Sequence, residues 1–267
     1  MRLLKFALAA ALALLPSALK IPAYRLLFGY RIGKGVWIGF SPFVGVRRCS
    51  IGDHARVGHG NLFYEVADLE IGGHARIGFL NMFRGGKRLI IGPFATILRQ
   101  NVFNAIIDQD FDDEVESVLE LGQGCSVAAG HWLDFSAGIS IGDQTMIAGR
   151  NSTLWSHFRQ RGGPIRIGHH CYIGSESRVT AGVSIPPLSI VTIGSVVLNP
   201  FERPRFLIGG NPAKQIRALN DHELAAVIRK TRRDIPDEFV LGSLPPDLHE
   251  LYGQTIRPAG SPAAGPR

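Results

Sequence analysis

Cysteine is nearly missing from this chain: three in 267 residues, at Cys49, Cys125 and Cys171. Scattered thiols build no disulfide framework and predict a reducing compartment, the cytoplasm. Acids are missing from the first 31 residues, which carry Arg2, Lys5, Lys20, Arg25 and Arg31 and hold +5 of the chain's net +7. A long apolar run is missing as well. Phe6 to Leu15 is wholly apolar, but Pro16 and Lys20 cut it short of the ~20 residues that span a bilayer. A basic, apolar segment over 1–30 fits the inner membrane interface or a subunit contact. A cleaved leader competes with that reading, although no small-x-small site follows, and a true span is the third alternative. Zinc spacings, a recognition helix and an aromatic-studded basic sheet are all lacking, so nucleic acid is not an expected partner.

What is present is repetition. Ile51-Gly-Asp-His-Ala-Arg-Val-Gly-His-Gly-Asn61-Leu-Phe63 recurs as Ile71 to Phe83 and again as Ile91 to Phe103, with a period of 20 residues. Within each repeat an aliphatic residue returns every six positions. Ile167, Ile173, Val179, Ile185, Val191 and Val197 keep that spacing strictly. A period of six is neither an amphipathic helix nor an alternating strand; it predicts short strands wound around a triangular prism. Cys125 and Cys171 fall at the small-residue position of their hexads and read as core filler.

Stacked coils predict columns. One reads Asn61, Asn81, Asn101, His131, Asn151, a ladder of interlayer hydrogen bonds. The next reads Phe63, Phe83, Phe103, Leu133, Thr153, and a third Ala67, Lys87, Ile107, Ala137, His157. Two insertions break the period. Ile91 to Leu121 spans 30 residues, with seven acids between Asp108 and Glu120; Ile141 to Ile167 spans 26, predicting about six extra residues after His157. Insertions in a solenoid become surface loops, where sites are built.

Trp132-Leu-Asp134 leads into Ile139-Ser-Ile-Gly-Asp143. Trp155-Ser-His157 precedes Gly163-Pro-Ile-Arg-Ile-Gly168. Cys171-Tyr-Ile-Gly174 runs on to Gly194-Ser-Val-Val and to Ile208-Gly-Gly-Asn-Pro-Ala-Lys214. Over about residues 30–217 these stretches resemble the hexapeptide-repeat acyltransferases, in particular the galactoside/maltose acetyltransferase-type branch and its polysaccharide-biosynthesis relatives. The resemblance implies an all-β solenoid, a left-handed parallel β-helix, over 31–217, with a basic apolar segment at 1–30. A helical extension is expected over 218–252, centred on Asp221 to Phe239, and a Pro/Gly/Ala-rich disordered tail over 253–267.

The resemblance also implies an acyl-CoA donor, acetyl-CoA first, an acceptor hydroxyl on a sugar or lipid-linked glycan, a homotrimer, and no metal. It assigns His157 as general base, and imidazole suits that task because it titrates near neutrality. Asp134 would orient the imidazole or bind the acceptor. Trp155, Arg159, Arg161 and His131 are candidates for the acceptor side, although the place of His131 in the Asn ladder favours a structural role. Arg203, Arg205, Lys214 and Arg217 would hold cofactor phosphates, and backbone amides at Gly174, Ala181 and Gly182 the thioester oxygen. The chain departs from the commoner pattern in following His157 with the basic Phe158-Arg-Gln-Arg161. A non-catalytic β-helix scaffold is the alternative function. A zinc carbonic anhydrase of the same fold is a second, prompted by His54 and His59 but lacking a third matching histidine.

Overall fold

Each 20-residue repeat forms one coil of three short strands. The structure, a computed structural model, describes residues 2–106, 116–158 and 161–256. Strand Asp68–Ile71 lies parallel beside Arg88–Ile91, with Leu69 opposite Leu89 and Ile71 opposite Ile91. Val118–Leu121 follows with Leu121 opposite Ile91, so the 30-residue interval leaves the register untouched. Most of its acidic stretch, 107–115, lies outside the described residues.

Three sheets result, parallel throughout except that Phe206–Gly210 and Ala213–Ala218 close the second as an antiparallel pair. The first face runs through eight strands from Arg31–Ile32 to Ser184–Ile185, the second through ten from Trp37–Ile38 to Ala213–Ala218, and the third through eight from Phe43–Val44 to Val196–Val197. This is the triangular prism expected from the hexads and the left-handed parallel β-helix that the resemblance implies. Its corners are left-handed in backbone as well. His54, His74 and Phe94 share one corner column at φ 59°, 59° and 58°, and Gly35 and Gly124 take the same conformation in their coils. Only glycine adopts it without cost, which explains its recurrence there.

The interior follows the predicted columns for four coils. Phe43, Phe63, Phe83 and Phe103 stack with ring centroids 4.5, 4.6 and 4.7 Å apart. Beside them Asn81 donates from its amide nitrogen to Asn61 Oδ1 (2.9 Å), and Asn101 donates likewise to Asn81 (3.0 Å). All three cysteines are buried, and burial pushes the Cys49 thiol up to about 12.

The columns then depart from expectation. A bulge brings Ala129 opposite Arg150 and shifts the register by one residue. Leu154, not Thr153, therefore lies over Leu133, and Ser152 takes the ladder position expected for Asn151. Asn151 instead turns the corner at φ 61°. The insertion thus divides between this bulge and a hairpin after Ser156, where His157–Phe158 pairs antiparallel with Arg161–Gly162. Accordingly His157 does not stand over Ala137 in the column predicted for it.

Both ends are closed. Helices α1 (Arg2–Ala13) and α2 (Ser17–Phe28) cover the first coil. Tyr24 of α2 is fully buried and continues the aromatic stack onto Phe43, at 5.4 Å. The first coil has no preceding strand to pair with, and α2 compensates. Lys20 donates to the carbonyls of Ile38 and Gly39, and Arg25 to those of Ile32 and Gly33. Lys20 is therefore an interior group, its ammonium pushed down to about 8 by burial.

At the other end the expected helix is broken into α3 (Asp221–Ile228), α4 (Asp237–Ser243) and α5 (His249–Ile256). Asn220 and Glu223 form a capping box on α3. Pro236 disfavours helix at the residue before it, and the chain from 229 to 236 runs irregularly. Residues 253–256, expected in the tail, are helical, since α5 extends to Ile256; the rest of the expected tail, 257–267, lies outside the described residues.

Candidate active site

The third face carries the aromatic and acidic residues singled out in the sequence. Strands Trp132–Asp134 and Thr153–Trp155 pair with Asp134 opposite Trp155. In a parallel strand the first and third residues point outward, so Trp132 and Trp155 both reach the surface, about 36% and 40% exposed. They stack at 5.9 Å with planes 21° apart and form a flat apolar wall.

His157 follows this wall immediately. Ser156, fully buried, fixes the start of the hairpin: its backbone N–H donates to Asp134 O (3.0 Å), and its hydroxyl accepts from Ala137 N–H (2.9 Å). Its carbonyl accepts from Gly163 N–H (3.0 Å), which returns the chain to the coil. The His157 ring is half-buried beside Gly162, where an added Cβ would lie 3.6 Å from His157 Cδ2. Glycine leaves space beside the imidazole that a larger residue would fill.

Asp134 is buried and held from two sides. Its Oδ1 accepts from Ser136 N–H (3.1 Å) and its Oδ2 from the Asn104 amide (3.2 Å). Asn104 Oδ1 in turn accepts from Arg84 (2.8 Å). Arg84 and Asn104 were not recognised in the sequence, and neither was Trp132 as a surface residue. Their signal was available: Arg84, Asn104 and Asp134 each follow the buried residue of one column, Phe83, Phe103 and Leu133.

His131 is a correction. It is buried in the ladder, its backbone N–H donating to Asn101 Oδ1 (2.9 Å) and its Nδ1 accepting from Ser152 N–H (3.1 Å). An acceptor on the prism surface does not meet it. Arg159 and the side chain of Arg161 lie outside the described residues. Among the described residues no three His, Cys, Asp or Glu side chains gather as a metal site. His54 lies against His74, ring centroids 5.1 Å apart and planes tilted by 33°, and His59 stands at another corner with Trp37 and Phe40.

No family model matches the chain. A chloramphenicol acetyltransferase from Escherichia coli is 31% identical over 87 residues, 32% of this chain and 41% of that protein, so the match spans less than half the relative's length. Among solved structures, the UDP-N-acetylglucosamine acyltransferase from Campylobacter jejuni superposes with TM-score 0.52 at 17% identity, covering 80% of this chain and 77% of the other. LpxA from Acinetobacter baumannii gives 0.50 at 17% identity, with 87% and 82% covered. The fold is that of the hexapeptide-repeat acyltransferases.

Hexapeptide-repeat stacking takes up two of the three expected oxyanion donors. The Gly174 N–H donates to Val191 O (2.8 Å) and the Gly182 N–H to Gly163 O (3.1 Å), so both are spent on holding neighbouring coils together. Ala181 is buried. Two of the four phosphate candidates are likewise engaged: Arg205 pairs with Asp247 (2.7 Å) and Arg217 with Glu223 (2.7 Å), both acids of the C-terminal extension. Arg203 and Lys214 present exposed side chains near the end of the hexapeptide array.

Proposed function

We propose that this chain transfers an acyl group, acetyl first, from acyl-CoA to a hydroxyl of a sugar or cell-surface glycan precursor. The observation that carries the reading is the position of His157, at the base of a hairpin inserted into the coil and directly after the Trp132–Trp155 wall. A flat aromatic wall suits the apolar face of a sugar ring, and a base beside it meets the ring's hydroxyls.

In this reading His157 takes the proton of the acceptor hydroxyl as that oxygen bonds to the thioester carbonyl carbon. The carbon–sulfur bond then breaks, and the proton passes to the departing CoA thiolate. Asp134, fixed by Asn104 and Ser136, fits a positioning role for the acceptor or the imidazole. Lys214 and Arg203 suit the cofactor phosphates, and Arg159 and Arg161 are assigned to the acceptor side by their place in the sequence after His157. Exposed Phe40, Phe79 and Leu80, at the corner between the second and third faces, fit a contact between protomers of a homotrimer. Such a contact would deepen the groove over the third face.

The test is thiol release from acetyl-CoA in the presence of glycan acceptors. His157→Ala is expected to lower turnover by roughly 10²–10⁴-fold, the range for a lost general base. Near-normal turnover in a folded His157→Ala protein would contradict the assignment. No thiol release above background with any acceptor would favour the scaffold alternative.

A further inference from the structure

We infer that the α1–α2 cap is a lipid-binding face that seats the prism end-on upon an anionic bilayer. The inner side of the cap is committed to the first coil through Leu12, Lys20 and Tyr24. Its outer side, where described, is apolar apart from Arg25, whose guanidinium turns to the carbonyls of the first coil. Leu14, Leu19 and Leu26 are 72%, 61% and 85% exposed, and Leu8 and Leu27 stand out beside them. The surface between them is alanine and proline: Ala7, Ala10, Ala11, Pro16, Ala18 and Pro22 are exposed. An apolar face of this kind lacks the hydrogen-bonding groups that a specific protein interface carries at about one per 100–200 Å². Hydrocarbon makes no such demand.

Charge selects the same partner. The first acid of the chain is Asp53; the 52 residues before it hold eight Lys and Arg and no Asp or Glu. Arg31, Lys34 and Arg47 of the first coil are exposed around the cap. Apolar centre and basic rim match the acyl region and the anionic headgroups of one leaflet. A second copy meeting this face end-to-end would oppose the two basic rims. The helices lie on the leaflet rather than cross it. Each has 12 residues, about 18 Å of helix against a hydrocarbon core of about 30 Å, and no described helix is long and apolar enough to span.

The inference does not depend on the acyl-transfer reading, and its test contains no acyl transfer. The full chain is sedimented with vesicles of phosphatidylcholine alone and of phosphatidylcholine with phosphatidylglycerol. Binding to the mixed vesicles, weaker binding to phosphatidylcholine and partial release by salt are expected. A Leu19→Glu, Leu26→Glu double variant is expected to bind the mixed vesicles roughly tenfold or more weakly, with unchanged circular dichroism, since both side chains face outward. Leu19→Ala with Leu26→Ala adds no charge and is expected to shift binding in the same direction by less. Wild-type binding in both variants would overturn the inference, as would failure of the wild type to bind mixed vesicles. So would end-to-end pairs of the wild type in sedimentation velocity that the glutamate variant dissolves.

Discussion

His131 and His157 sit in neighbouring coils, the first buried and the second half-buried. Burial pushes His131 down to about 4. Its Nδ1 accepts the Ser152 N–H, so a proton there would set two donors head-on. The unfolded chain titrates near 6.5 and binds more protons than the folded chain between these values. Stability contributed by neutral His131 is therefore present above about pH 6.5 and is lost as pH falls toward 4. His170, pushed down to about 4 by burial, adds with the same sign. His131→Asn restores the side chain that the ladder uses at Asn61, Asn81 and Asn101. It is expected to flatten part of this acid dependence in thermal melts between about pH 4 and 7. An unchanged slope would show that His131 is not a source of it.

At the scale of elements, the C-terminal extension is tied to the prism by Arg232. Its guanidinium donates to the carbonyls of His74 (2.9 Å) and Phe94 (3.1 Å), bridging two coils, and pairs with Asp234. Only a tenth of that side chain is exposed. Arg232→Ala is expected to cost about 1.5–3 kcal/mol, the range for hydrogen bonds to a charged group. Urea melts measure the cost, and limited trypsin digestion should cut first around 229–233. This clamp was not legible in the sequence, because Arg232 meets residues about 140–160 positions away. The coils were legible because each strand's partner lies one period back, at a fixed offset. Legibility ended at the bulge near Arg150, where one extra residue moved Ser152 and Leu154 into columns expected for Asn151 and Thr153. For the same reason the position of His157 could be read from the insertion but not from its column. The Gly174 donor failed on different grounds: a glycine after the aliphatic residue of its hexad marks a close approach between coils, and its amide is used there.

For the whole molecule, the apolar corner of Phe40, Phe79 and Leu80 sets the expected assembly. Three chains packed through it would bury large side chains that water now meets, each worth about 1.5–3 kcal/mol when fully covered. Phe79→Glu with Leu80→Glu is expected to yield a folded monomer by light scattering, and to lose turnover along with the trimer. A wild-type monomer with full turnover would contradict both.

The solenoid also measures length. Strand Phe43–Val44 is the first on the third face and Thr153–Trp155 the sixth, so five intervals of about 4.8 Å separate the cap end from the tryptophan wall. Adding one layer of helix places His157 roughly 35 Å above a surface on which the cap rests. A prism standing in this way is a gauge. On the proposed acyl transfer it would pass over sugars close to the lipid and meet those held far out on a long glycan. Each further 20-residue coil would raise that height by about one strand spacing and leave the site itself unaltered.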